Sequence, residues 1–84
     1  MSKFEKILHK VLSGASDKNI KFEDLLLLLK NFHFKERTKG SHKIFYRNDI
    51  DEIINLQSLK DGNSKPYQVK QVREIILKYK LTKK

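Results

Sequence analysis

Apolar residues recur at Phe4, Ile7, Leu8, Val11 and Leu12, while Lys3, Glu5, Lys6 and Lys10 fill the intervening positions. The i, i+3, i+4, i+7, i+8 spacing predicts an amphipathic helix over residues 3–13. Gly14 suits its end, because glycine turns left-handed without a Cβ clash. A polar link, Ala15-Ser16-Asp17-Lys18-Asn19, leads to a second helix over residues 22–32. Phe22, Leu25, Leu28, Leu29 and Phe32 form one stripe of that helix, with Glu23 and Asp24 in its first turn and Lys30 near its end, as the helix dipole favours. Leu27 points nearly opposite and Leu26 to the side. Two apolar faces need two covers, so the N-terminal helix is expected to pack on the face that a sheet does not take.

From Phe34 the period changes. Phe34 to Lys39 alternates charge and stops at Gly40, as a short exposed strand does. Residues 42–47 are aromatic and β-branched, which predicts a second strand leaving a Gly40-Ser41 turn. Asn48-Asp49 supplies another turn, and Glu52 to Gln57 reads as a third strand. Ser58 to Pro66, with Asp61-Gly62-Asn63-Ser64 inside it, reads as a flexible loop. A last helix runs from Pro66 or Tyr67 to Tyr79, with proline at an entrance where a missing N–H costs little and Val69, Val72, Ile75, Ile76 and Tyr79 as its stripe. Lys80, Lys83 and Lys84 make a basic tail, expected to fray. The order is α-α-β-β-β-α: an α+β domain with a three-stranded antiparallel meander, helices on one face and the other face open. If His42 faces solvent in that sheet, Ile44 and Tyr46 share its face and Phe45 is buried.

Charge changes the picture. Nineteen Lys and Arg against ten Asp and Glu leave a net charge of +9. Residues 1–34 carry +2, residues 35–47 carry +4, residues 48–59 carry −3 and residues 60–84 carry +6. A cationic surface placed on the central hairpin and the C-terminal segment points to a polyanion, RNA or DNA. There is no cysteine, hence no disulfide, thiolate nucleophile or Cys-based zinc site. Phe4-Glu5-Lys6 interrupts any apolar leader, and the run Leu25 to Leu29 is far short of the roughly 20 residues a membrane helix needs. A cytoplasmic protein without a membrane partner is the expectation.

Candidate chemistry is sparse. Gly14, Gly40 and Gly62 are the only glycines, so no Gly-rich phosphate loop exists. His9, His33 and His42 are too scattered for a metal set. Asp49, Asp51 and Glu52 form a modest acidic group of a kind usually just solvated, and no metal is expected. His9 reads as a surface residue, and His33, between Phe32 and Phe34, as a capping or packing residue. His42 differs: it opens a strand straight after Gly40-Ser41, with Arg37, Lys39, Lys43 and Arg47 near in sequence. An imidazole titrates near neutrality and transfers protons, and neighbouring cations stabilise charge developing on a phosphoryl group. Such a histidine can help a ribose 2′-OH attack the adjacent phosphorus without metal; it can equally be an ordinary strand residue beside a turn.

The α-β-β-β-α order of residues 22–79 is that of the double-stranded-RNA-binding domain. Within it, Leu25-Leu26-Leu27-Leu28-Leu29-Lys30, the Phe34 that follows, Lys39-Gly40-Ser41-His42-Lys43-Ile44-Phe45 and the helix introduced by Lys65-Pro66 resemble the HicA family of bacterial toxins. The resemblance covers about residues 22–80. It divides a single domain, 1–84, into an N-terminal helical extension (1–20), a HicA-like core (21–80) and a basic tail (81–84). It implies an mRNA interferase of a toxin–antitoxin system, a metal-independent endoribonuclease needing no cofactor, whose catalytic histidine corresponds to His42. Gly40 and Ser41 shape the motif's turn. The implied partners are mRNA and a HicB-like antitoxin covering the active surface. Arg37, Lys39, Lys43, Lys70 and Arg73 are the candidates for phosphate contacts. A non-catalytic RNA-binding module on the same basic face is the alternative expectation. No second histidine presents itself for the opposite proton transfer.

Overall fold

Ser2 begins the first helix with a capping box: its hydroxyl accepts from the Glu5 N–H at 3.2 Å, and the Glu5 carboxylate accepts from the Ser2 N–H at 3.2 Å. In the computed structural model, which describes residues 2–81, this helix, α1, runs Lys3–Ser13 and ends on Gly14 in the left-handed conformation (φ 72°). A single 3₁₀ turn at Asp17–Asn19 leads into α2, Phe22–Asn31. Three antiparallel strands follow: β1 (Lys35–Lys39), β2 (His42–Tyr46) and β3 (Ile54–Leu56), in the order β1-β2-β3. Helix α3, Pro66–Tyr79, closes the fold. The architecture is the α+β, α-α-β-β-β-α arrangement that the periodicity predicts. Lys83 and Lys84 of the basic tail lie outside the described residues; Lys80 ends α3 in the left-handed conformation.

The leucine run is buried unevenly. Leu25, Leu28 and Leu29 are fully buried, and Leu26 and Leu27 pack against the same core. Helix α1 lies against α2 and α3, bringing Phe4, Ile7 and Val11 into that core, with the Phe4 and Phe32 rings edge to face at 5.3 Å. Phe45, Ile54 and Leu56 supply the sheet's side of the core, and Val69, Val72, Ile75 and Ile76 the α3 side. All belong to one cluster.

His33 closes the end of α2, the capping role its place between Phe32 and Phe34 suggests. His33 sits in the left-handed conformation (φ 66°); its N–H bonds the Lys30 carbonyl at 3.0 Å, and the Phe34 N–H bonds the Leu29 carbonyl at 3.1 Å. This pair of bonds is a Schellman closure, with the buried pair Phe34 and Leu29 at the matching positions. Histidine stands where glycine is favoured.

Two boundaries differ from expectation. Strand β3 covers only Ile54–Leu56, not Glu52 to Gln57. Glu52 instead turns to α3, accepting from Lys78 Nζ at 2.7 Å and from the Tyr79 hydroxyl. The outer edge of β3 is sealed by Gln68, a side chain buried in α3: its amide oxygen accepts from the Gln57 N–H and its NH₂ donates to the Asn55 carbonyl, both at 3.2 Å. A side chain thus takes two of the edge groups that a fourth strand would pair with. The loop from Ser58 is also less free than its glycine and serine content suggests. Isolated bridges join Ser58 to Ser64 and Lys21 to Asn63, and the Ser64 N–H donates to the Ile20 carbonyl at 2.8 Å.

Candidate active site

Gly40 has φ 61°, and Ser41, which follows it, is not among the residues with positive φ. A two-residue turn with only its first position left-handed is type II′, whose twist matches that of the strands it joins. Lys39 and His42 therefore face each other directly across the hairpin. The remaining register is Arg37 opposite Ile44, Lys35 opposite Tyr46, and Ile44 opposite Asn55.

Alternation then decides the faces. Phe45 is fully buried against the helices, so His42, Ile44 and Tyr46 point to the other side and are half-buried there. By the same parity the open face carries Lys35, Arg37 and Lys39 from β1 and Ile53, Asn55 and Gln57 from the β3 segment. His42 thus stands on the solvent-facing side with Ile44 and Tyr46 beside it, as the parity argument required.

The imidazole is not unsupported. Its Nδ1 lies 2.9 Å from Asn55 Oδ1. An amide oxygen only accepts, so Nδ1 carries the proton and donates. In the neutral ring that leaves the Nε2 lone pair free of this partner, the arrangement a general base needs. The adjoining turn is braced as well: Gln57 Nε2 donates to Ser41 Oγ at 3.0 Å, and Lys65 Nζ donates to Gln57 Oε1 at 3.1 Å. A cation from the entrance of α3 is thereby drawn towards the Gly40-Ser41 turn.

Of the sequence candidates, Arg37, Lys39, Gly40, Ser41 and His42 come together on this face and its turn. Lys43 does not join them. It points to the opposite face, 3.0 Å from Thr38 Oγ1 and 3.3 Å from the Glu36 carboxylate. Lys70 is exposed on α3, in the layer behind the sheet. Arg73 is tied inward: it donates to the Asp17 carboxylate at 2.8 and 3.1 Å and to the Val11 carbonyl at 3.1 Å. The Asp17 hydrogen bonds push its pKa further up. Asn55, Gln57 and Lys65 were missed. The alternation Ile53-Ile54-Asn55-Leu56-Gln57 held a signal for the first two, since polar residues between buried ones in a strand must face outward. Lys65 had none, because only the fold brings α3's entrance beside the turn.

Two members of the acidic group, Asp49 and Glu52, are otherwise engaged. Hydrogen bonds from the Arg47 guanidinium, at 2.9 and 2.6 Å, hold the Asp49 carboxyl below its ordinary range. Lys78, and then Tyr79, do the same for Glu52. Among the described residues no three His, Asp or Glu side chains gather as metal ligands would, and no helix is long and apolar enough to cross a membrane. No family model, curated protein or solved structure matches this chain.

Proposed function

We propose that this protein is a HicA-like toxin, an endoribonuclease that cleaves single-stranded mRNA without a metal and uses His42 as its proton-transfer group. The observation that carries the reading is the His42–Asn55 hydrogen bond on an open, cation-lined sheet face. It orients the imidazole and, in the neutral ring, leaves the Nε2 lone pair available. In the proposed reaction Nε2 takes the proton of a ribose 2′-OH as O2′ bonds to the adjacent phosphorus. The P–O5′ bond breaks, leaving a 2′,3′-cyclic phosphate, and the departing 5′ oxygen takes a proton from water or from an ammonium such as Lys39, which faces His42 across the hairpin. Positioned proton transfer of this kind contributes roughly 10²–10⁴-fold, and Arg37 and Lys39 supply positive charge where phosphoryl oxygens become more negative. An antitoxin of the HicB kind would silence the protein by covering this face.

The test is inducible expression of the wild type and His42→Ala in bacteria, scoring growth arrest and mRNA decay, together with cleavage of a single-stranded RNA by the purified proteins in EDTA. Growth arrest and cleavage that require His42 support the reading. Full toxicity and cleavage by His42→Ala would sink it. Salt-sensitive RNA binding without cleavage by either protein would leave a non-catalytic RNA-binding module.

A further inference from the structure

Beside His42 the open face is not flat. A depression of about 470 Å³ lies between Arg37, Ile44, Tyr46, Asp51 and Ile53, with buried Ile50 also contributing to its lining. Ile44, on its wall, is two residues along β2 from His42, roughly 7 Å at the rise of an antiparallel strand. Ile53 is 60% exposed, unusually open for a β-branched residue beside a strand. The Arg37 guanidinium lies over the Tyr46 ring at 6.0 Å. That pairing presents flat, polarisable surface flanked by two isoleucines.

Phosphate does not fit this depression. Two of its walls are aliphatic, and the Asp51 carboxylate at its rim repels an anion. Arg47, which also borders it, is already held by Asp49 and by the Phe32 carbonyl at 2.8 Å. A nucleobase fits on each count: its faces stack on aromatic and guanidinium planes, its edge offers N–H groups to a carboxylate, and its volume falls within a cleft of small-ligand size. The cations that attract the RNA backbone, Lys35, Arg37 and Lys39, run along β1 at the border of the same face.

We infer that this depression is a base-binding subsite, which seats one unstacked base of a single-stranded RNA next to the phosphate held at His42. The inference rests on RNA being the ligand of this face. It adds that the protein grips one base in addition to the backbone, so that single-stranded RNA binds and duplex RNA, whose bases are stacked and paired, does not enter.

The experiment separates the subsite from the nuclease reading by measuring binding alone. A short single-stranded RNA with 2′-deoxy substitutions, which cannot be cleaved by 2′-OH attack, is titrated against His42→Ala protein. In a matched series each nucleotide in turn lacks its base. Losing one particular base is expected to weaken binding about 10- to 100-fold, the scale of one stacked base, with little effect elsewhere. Combined Tyr46→Ala and Ile53→Ala substitutions should weaken the intact oligonucleotide by a similar factor and abolish the position effect, since the two changes remove one interaction. Ile53→Ser alone, at an exposed position, gives a partial loss free of folding effects. Position-independent losses, or unaltered binding by these variants, would overturn the subsite while leaving backbone binding and cleavage at His42 untouched; the apolar patch would then fit a protein partner. A clear position effect in a protein whose wild type cleaves nothing would uphold the subsite and refute the nuclease.

Discussion

Asn55→Ala tests the chemistry without touching the catalytic group. The Asn55 side chain is exposed and, among the described residues, hydrogen-bonds only His42, so its removal leaves the core intact. Two effects add. A neutral hydrogen bond is worth about 1 kcal/mol, which biases the ring towards the Nδ1–H form by about fivefold. As Nε2 takes a proton the same bond gains charge assistance, reaching about 1.5–3 kcal/mol, so a further 1 kcal/mol or so is present only at the transition state. Together they predict a fall in kcat of about 10- to 30-fold with KM nearly unchanged. Asn55→Asp keeps the accepting oxygen and should recover most of the loss. Nitrogen-detected NMR of the His42 ring reads the tautomer directly, and does so even in a protein that turns nothing over. Wild type should show a protonated Nδ1, and Asn55→Ala should lose that preference. A wild-type ring protonated on Nε2, or full activity in Asn55→Ala, would refute the positioning role.

Three further outcomes follow from the same contacts. His33→Gly should stabilise the fold by about 1 kcal/mol, because glycine takes the left-handed conformation at no Cβ cost; thermal unfolding should shift up by about 4–8 °C in a domain of this size, and an unchanged or lower midpoint would contradict the strain. Arg73→Ala should cost about 1–3 kcal/mol by leaving partly buried Asp17 and the Val11 carbonyl without their donor, yet leave RNA affinity within twofold; a larger loss of RNA affinity than of stability would return Arg73 to the binding surface. Glu52 and Asp49 titrate lower in the folded protein than in the unfolded chain, so their contribution is present above the unfolded carboxylate value, about 4, and is lost as pH falls through the folded values. Glu52→Gln should therefore lower stability near neutrality and flatten the acid limb of a stability-against-pH curve, the two proteins converging at low pH, and unaltered stability near neutrality would argue against the Lys78 and Tyr79 contacts.

Much of the fold was legible because its signals are local. Helix periodicity, Gly14 and Pro66 placed the helices, and Gly40-Ser41 placed the hairpin whose register sets Lys39 against His42. Boundaries failed at β3, which is shorter than its apolar pattern suggests; at its two ends Glu52 answers to Lys78 and Tyr79 while Gln68 takes the Gln57 N–H. No local pattern encodes a partner eleven residues or more away.

The candidate site divides along the same line. Sequence alone determined that His42 opens a strand after a tight turn, on a chain with a net charge of +9. It also determined that Arg37 and Lys39 lie within reach, since a two-residue hairpin leaves those positions little freedom. Only tertiary structure decided which cations face the site. Burying Phe45 in the common core turned His42 outward and, by the strand's period of two, Lys43 to the other face beside Glu36. Packing α3 beside the 3₁₀ turn committed Arg73 to Asp17. Pairing β2 with β3 brought Asn55 to Nδ1 and set Ile53 beside Tyr46. Those are contacts between segments far apart in the chain, and the common core they bury is what selects them.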